Sequence, residues 1–188
     1  MTTLDAIRDS LPDYARDLKL NLGSVLSPTG APGLNEKQIW GVAVASAIAS
    51  RNVSFAKQIE ALAAGTLDEA YLTASRSAAA IMGMNNIYYR FLHLVEDVEY
   101  SQLPARLRMN VIGSPGIDKL DFELLSLAVS AINGCGMCIV AHEKQLRKHD
   151  VSKEAIQSAV RIAATIHAVA GVLEQTTATA EVPAAEAA

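Results

Sequence analysis

Both cysteines of this 188-residue chain lie in one short stretch, Asn133-Gly134-Cys135-Gly136-Met137-Cys138-Ile139-Val140-Ala141-His142. Cys135 and Cys138 are three positions apart, so on a helix they share a face and are within reach of each other as a disulfide. His142 follows Cys138 by four positions, the other spacing that keeps side chains on one face. Glu123 stands twelve residues before Cys135, a lone carboxylate in the apolar run Phe122-Glu123-Leu124-Leu125-Ser126-Leu127-Ala128-Val129. The pattern Glu-x11-Cys-x2-Cys-x3-His puts a dithiol, a base and an acid in one region. Asn133-Gly134 offers a break and an N-cap, so the dithiol is expected to open a helix. At that end the free N–H groups and the macrodipole favour a thiolate. His142 can take the thiol proton near neutral pH, and Glu123 can orient the imidazole or relay protons through water. A thiolate beside a second thiol can be oxidised by a peroxide to a sulfenic acid and trapped as a disulfide. It can equally exchange electrons with another disulfide.

Plainer readings stand beside these. A CxxC pair is also half a zinc site, and a site using both cysteines, His142 and Glu123 would stabilise a non-enzymatic helical domain. An isolated Glu123 would simply reach for solvent. Helix-end reasoning favours Cys135 as the more activated thiol. The histidine favours Cys138, one turn away from His142 where Cys135 is two. His93 reads as a surface or packing residue, His149 as a helix-end residue, and His167 as an interior or interface histidine. Met82, Met84 and Met137 read as packing. Trp40, Tyr88 and Tyr89 read as core or subunit interface without chemistry.

The elements that must position this group read as helices throughout, with no period-2 strand. The fold class expected is all-α. Leu4, Ile7, Leu11, Tyr14 and Leu18 describe an amphipathic helix over roughly 3–21. Pro28, Gly30, Pro32 and Gly33 place a loop over roughly 23–34. Asn35 with Gln38 forms a capping box for a helix to about Ser50, and a further helix runs to about Gly65. Thr66 with Glu69 repeats that signature before a helix to about Tyr89 or beyond. After turns near Pro104 and Ser114-Pro115-Gly116 come helices over roughly 119–132 and 135–149, and a last one, capped by Ser152, to about Glu174. One all-helical domain over 1–175 is expected, with a disordered Thr/Ala/Glu tail over 176–188.

A shift of 85 residues aligns Glu69, Ala70, Ala74, Arg76, Ala78, Ala79 and Ile81 with Glu154, Ala155, Ala159, Arg161, Ala163, Ala164 and Ile166. This predicts two similar helical halves, about 35–90 and 119–175. In that register Ser50, Val53, Lys57 and Gln38 face Cys135, Cys138, His142 and Glu123, so only the second half would carry chemistry.

The net charge of −4 without a Lys/Arg run argues against nucleic acid as a partner. The N-terminal residues show neither a basic nor an apolar leader region, and the apolar run Ile39–Ala49 is too short for a bilayer. A cytoplasmic protein without membrane partners is expected, and there a lone cysteine pair is catalytic or metal-binding rather than a permanent staple. The Ala-rich, aromatic-poor composition buries little area per residue, which favours an oligomer.

The stretch Asp121 to Glu143 resembles the active-site region of the alkyl hydroperoxidase D (AhpD) family, within the carboxymuconolactone decarboxylase-like superfamily. The resemblance extends through Leu18–Leu22, Ala80–Asn86, Leu107–Asn110 and Pro115–Ile117, and covers about residues 1–175. It implies duplicated helical-bundle units, a homotrimer and a lipoyl-dependent peroxidase acting on organic hydroperoxides and on oxidised AhpC peroxiredoxin. Electrons would come from dihydrolipoamide as co-substrate, through dihydrolipoamide dehydrogenase and a lipoyl-bearing acyltransferase, with no tightly bound cofactor or metal. Cys138 would then be the peroxidatic cysteine forming the sulfenic acid, and Cys135 the proton donor that closes the disulfide. His142 and Glu123 would serve the proton relay. The chain departs from the mycobacterial-type members of the family at Met137, where they carry a histidine. A disulfide reductase with only incidental peroxidase activity is the alternative enzyme reading.

Overall fold

Capping side chains set where most of the long helices begin. The computed structural model describes residues 3–181, which form α1 (Leu4–Ser10), α2 (Arg16–Val25), α3 (Glu36–Ala49), α4 (Val53–Ala63), α5 (Glu69–Leu94), α6 (Val98–Gln102), α7 (Asn110–Gly113), α8 (Lys119–Ile132), α9 (Gly136–Lys148) and α10 (Lys153–Glu181). No strand occurs among the described residues, so the all-α expectation holds. The capping box of Asn35 and Gln38 opens α3 with both reciprocal hydrogen bonds at 2.9 Å. Asn52 caps α4, Asp118 caps α8, and Ser152 Oγ accepts from the N–H of Ala155 at the start of α10.

Local readings fail in four places. The first amphipathic helix is two, because Pro12 lacks an N–H and separates α1 from a 3-10 turn, Asp13–Ala15. Tyr14, assigned to its apolar face, is 72 % exposed. Asp68, not Thr66, caps α5, its carboxylate accepting from the N–H of Tyr71 at 2.9 Å. The final helix does not stop near Glu174 but continues to Glu181, so the first residues of the expected tail are helical; the rest of that tail, residues 182–188, lies outside the described residues.

The two halves repeat, but not in the register of the alanine matches. N-cap Asn35 of α3 corresponds to N-cap Asp118 of α8, and N-cap Asn52 of α4 to N-cap Cys135 of α9, both 83 positions apart. The buried pattern agrees: Ile39 and Gly41 to Ala47 on α3 match Phe122 and Leu124 to Ser130 on α8. On the third helix of each half the offset is 84, and Tyr71, Leu72, Ala74, Ser75, Ala78, Ala79, Met82, Asn85 and Asn86 fall opposite nine buried residues from Ala155 to Ala170. Burial, not alanine identity, carries the repeat. The partners of Glu123, Cys135, Cys138 and His142 are therefore Trp40, Asn52, Phe55 and Ile59, and not Gln38, Ser50, Val53 and Lys57. Opposite the Glu, Cys and His of that pattern the first half thus carries three large apolar side chains and one asparagine.

The halves interlock around one core. Helix α3 packs on α5 within its half and on α8 and α10 across it, and α8 packs on α10, α3 and α5 in the mirrored way. Both α3 and α8 are therefore buried almost all round. Close approach requires Gly41, where a Cβ would sit 2.3 Å from the Tyr71 ring. By length and composition α10 (through Thr176) is apolar enough to cross a membrane, a property missed in reading only Ile39–Ala49. Its buried residues Ala159, Ile162, Ala163, Ile166 and Val169 face this core instead.

Candidate active site

The turn between α8 and α9 places the dithiol. Asn133 ends α8 rather than capping α9, and Gly134 adopts φ +67°, the left-handed conformation that glycine tolerates best. Cys135 is itself the N-cap: its Sγ accepts from the N–H of Cys138 at 3.3 Å. The two sulfurs are joined as a disulfide across Cα atoms 5.3 Å apart.

A buried polar network holds that turn against α5. Asn86 Nδ2 donates to Ser130 Oγ at 2.9 Å, and Asn133 Nδ2 donates to Asn86 Oδ1 at 2.9 Å. Arg90 Nη1 donates to the Asn133 carbonyl at 2.7 Å, and the N–H of Cys135 to the Ser130 carbonyl. Every polar group of Asn86 is matched, which fixes the turn without leaving a desolvated amide.

Glu123 and His142 meet across the α8–α9 contact, with His142 Nδ1 2.6 Å from Glu123 Oε2. Their side chains are 12 % and 18 % exposed, so water screens the pair only partly. An ionised carboxylate only accepts, so Nδ1 carries the hydrogen in this contact and Nε2 is the free nitrogen. Glu123 thereby holds the ring of a histidine that lines the same cavity as Cys138.

That cavity has a volume of about 250 Å³ and is lined by Met82, Asn85, Tyr89, Met109, Ile112, Met137, Cys138, Ala141 and His142. Cys138 is 7 % exposed and reaches it, whereas Cys135 is 0 % exposed. All four residues of the Glu-x11-Cys-x2-Cys-x3-His pattern thus come together, two as a bonded sulfur pair and two as a hydrogen-bonded pair. Among the described residues no cluster of three or more His, Cys, Asp or Glu side chains is placed to hold a metal ion.

Sequence comparison meets this geometry. The carboxymuconolactone decarboxylase family model matches residues 99–181, the segment holding α8 and α9. Over most of its length the chain is similar to proteins named alkyl hydroperoxide reductase AhpD. That of Rhodospirillum centenum is 56 % identical over 172 residues, 92 % of this chain and 91 % of the relative. That of Gluconacetobacter diazotrophicus is 55 % identical over 183 residues, 97 % of this chain and 99 % of the relative. That of Coxiella burnetii is 57 % identical over 169 residues, 90 % of this chain and 96 % of the relative. The chain belongs to the AhpD family. The relatives' names and the disulfide-forming pair together support thiol-based oxidoreductase chemistry for this AhpD-family site.

Sequence reasoning missed the far wall of the AhpD-family cavity. Met82, Asn85 and Tyr89 come from α5, spaced three and four apart on one face, and Met109 from the entry to α7, where Tyr89 Oη contacts its sulfur at 3.9 Å. The helical spacing was visible in the chain, but nothing marked which half it would face. Met82, read as packing, is a buried core residue that also lines the cavity, and Tyr89, read as core or interface, lines it too. His167, read as an interior or interface histidine, is exposed and pairs with Ser50 Oγ at 3.2 Å. His93 and His149 are exposed, as expected.

Proposed function

We propose that this chain is a dithiol peroxidase that reduces alkyl hydroperoxides. The observation that carries the reading is the sharing of one largely apolar cavity by Cys138 and a histidine whose tautomer Glu123 sets. In the reduced state His142 takes the Cys138 proton, and the thiolate attacks the terminal oxygen of the hydroperoxide. The O–O bond breaks, sulfur is oxidised to Cys138–SOH, and the alkoxide leaves as alcohol with the proton of the Cys135 thiol. The Cys135 thiolate then attacks the Cys138 sulfur, and hydroxide leaves as water with the proton held on His142. The products are alcohol, water and the Cys135–Cys138 disulfide. The assignment of Cys138 as attacking sulfur rests on its access to the cavity, which outweighs the helix-cap position of Cys135.

Two thiols must restore the dithiol. Dihydrolipoamide supplies them by thiol–disulfide exchange, carried on a lipoyl-bearing acyltransferase and recharged from NADH by dihydrolipoamide dehydrogenase. The same dithiol reduces oxidised AhpC-type peroxiredoxin, a partner in keeping with the relatives' name. Met137 and Val140, 40 % and 50 % exposed beside the dithiol, give a protein-borne group an apolar surface. Ile87, Phe91 and Leu94 on α5 and Val98 and Tyr100 on α6 are also exposed, in keeping with the homotrimer of the family resemblance. A reducing cytoplasm suits a lone cysteine pair that cycles between dithiol and disulfide.

NADH oxidation in a mixture of dihydrolipoamide dehydrogenase, lipoamide, this protein and an alkyl hydroperoxide tests the proposal, with Cys138→Ser as control. Turnover that vanishes in the variant supports it. Absence of turnover with fully reduced, metal-free thiols overturns it and leaves a disulfide reductase.

A further inference from the structure

Asn85 stands out among the buried polar side chains. It is 4 % exposed, lines the cavity with Cys138 and His142, and its Oδ1 accepts no hydrogen bond. Its neighbour Asn86 is wholly buried and fully engaged with Ser130 and Asn133. The same helix therefore pairs one carboxamide and leaves the next unpaired, although a buried amide without a partner is costly.

The internal repeat shows that the fold does not need a carboxamide there. Asn85 corresponds to Val169 on α10, equally buried and apolar, just as Glu123, Cys138 and His142 correspond to Trp40, Phe55 and Ile59. The unpaired amide stands where α5 crosses from its own half to wall the dithiol's cavity, and its counterpart on α10 is apolar. An unsatisfied group kept at a reactive centre is the expected signature of a partner that arrives with the substrate.

We propose that Asn85 is a further catalytic residue, whose carboxamide hydrogen-bonds the –O–O–H group of the hydroperoxide as it meets Cys138. This rests on the peroxidase reading. A carboxamide presents one acceptor and two donors, and a hydroperoxide one donor and two acceptors. Oδ1 accepts from the terminal O–H, and Nδ2–H donates to the oxygen bearing the alkyl group. When Cys138 attacks the terminal oxygen, negative charge develops on that second oxygen, and the Nδ2–H bond strengthens as the O–O bond breaks. In an otherwise apolar cavity one such donor is worth more than in water.

The test is single-turnover oxidation of the reduced protein by cumene hydroperoxide, followed by rapid mixing, for wild type, Asn85→Leu and Asn85→Ala. Alkylation of Cys138 by iodoacetamide across pH and the thermal midpoint are measured in parallel. The expected result is a fall of about 100-fold in the peroxide rate in both variants. The alkylation profile should not move, and the Asn85→Leu midpoint should be equal to or above that of wild type, because an unpaired amide has been removed. A peroxide rate within about threefold of wild type overturns the role, and so does a parallel fall in alkylation, which would make Asn85 a group acting on the thiol itself. Should the Leu side chain prevent folding, Asn85→Ala decides alone. Wild-type protein that ignores the hydroperoxide overturns the peroxidase reading, and this role with it.

Discussion

Glu123 Oε2 and His142 Nδ1 lie 2.6 Å apart, joined across two helices by residues 19 positions apart in the chain. Neither side chain is more than a fifth exposed. The contact aligns an imidazole that has no other side-chain hydrogen bond to hold it, and the turn that allows it is pinned by Asn86, Ser130 and Asn133. The histidine that shares a cavity with Cys138 is thus positioned by α8, carried by α9 and walled by α5.

That dependence makes the pair act as a unit. His142→Gln is expected to lower the rate of Cys138 oxidation by about 100-fold, the usual worth of a positioned base. Glu123→Gln should lower it by about 10-fold, because the ring stays but its tautomer is no longer fixed. The double variant should be no slower than His142→Gln alone, as expected for residues in one chain of action. Rapid-mixing kinetics with one hydroperoxide would decide; additive losses would show that Glu123 acts independently.

Removing one sulfur should separate the two chemical steps. Cys135→Ser is expected to react with one equivalent of hydroperoxide and stop as Cys138–SOH, visible as a dimedone adduct by mass spectrometry. Cys138→Ser should give no adduct. The opposite outcome would make the helix-cap sulfur of Cys135 the attacking one.

Met137 lines the cavity beside Cys138 and is 40 % exposed, so a substitution there has room to be accommodated. Met137→His introduces a second titratable ring at the site and should raise peroxidase turnover. Steady-state assays under lipoamide-coupled conditions measure this, and an unchanged or lower rate would count against a role for a histidine at this position.

The crossing of α3 with α5 tolerates little volume. In Gly41→Ala the new Cβ would lie 2.3 Å from Tyr71 Cε1 and 3.2 Å from Leu125 Cδ2. Stability should fall by about 1–3 kcal/mol, the usual cost of overpacking. Denaturant unfolding measures the loss, while the peroxide rate of the folded variant should be kept, since neither Tyr71 nor Leu125 lines the cavity.

Much of this protein could be read from its residues. Helix starts at Asn35 and Ser152 and the face shared by Cys135, Cys138 and His142 follow from interactions within four residues, which the chain fixes locally. Even here competition between neighbours mattered: Asp68 displaced Thr66 as cap, and Pro12 split a helix whose apolar spacing ran through it. The register of the repeat was misplaced by one or two residues because alanine matches say little, whereas burial distinguishes Trp40 opposite Glu123 and Val169 opposite Asn85. The Glu-x11-Cys-x2-Cys-x3-His pattern by itself named the four residues that the fold brings together at the candidate site. Only the tertiary structure decided that Cys138 and not Cys135 opens on the cavity, that Met82, Asn85 and Tyr89 wall it, and that one asparagine is paired and the next is not. Contacts between helices depend on how faces pack across the core, and no local spacing records which face of α5 will meet α9.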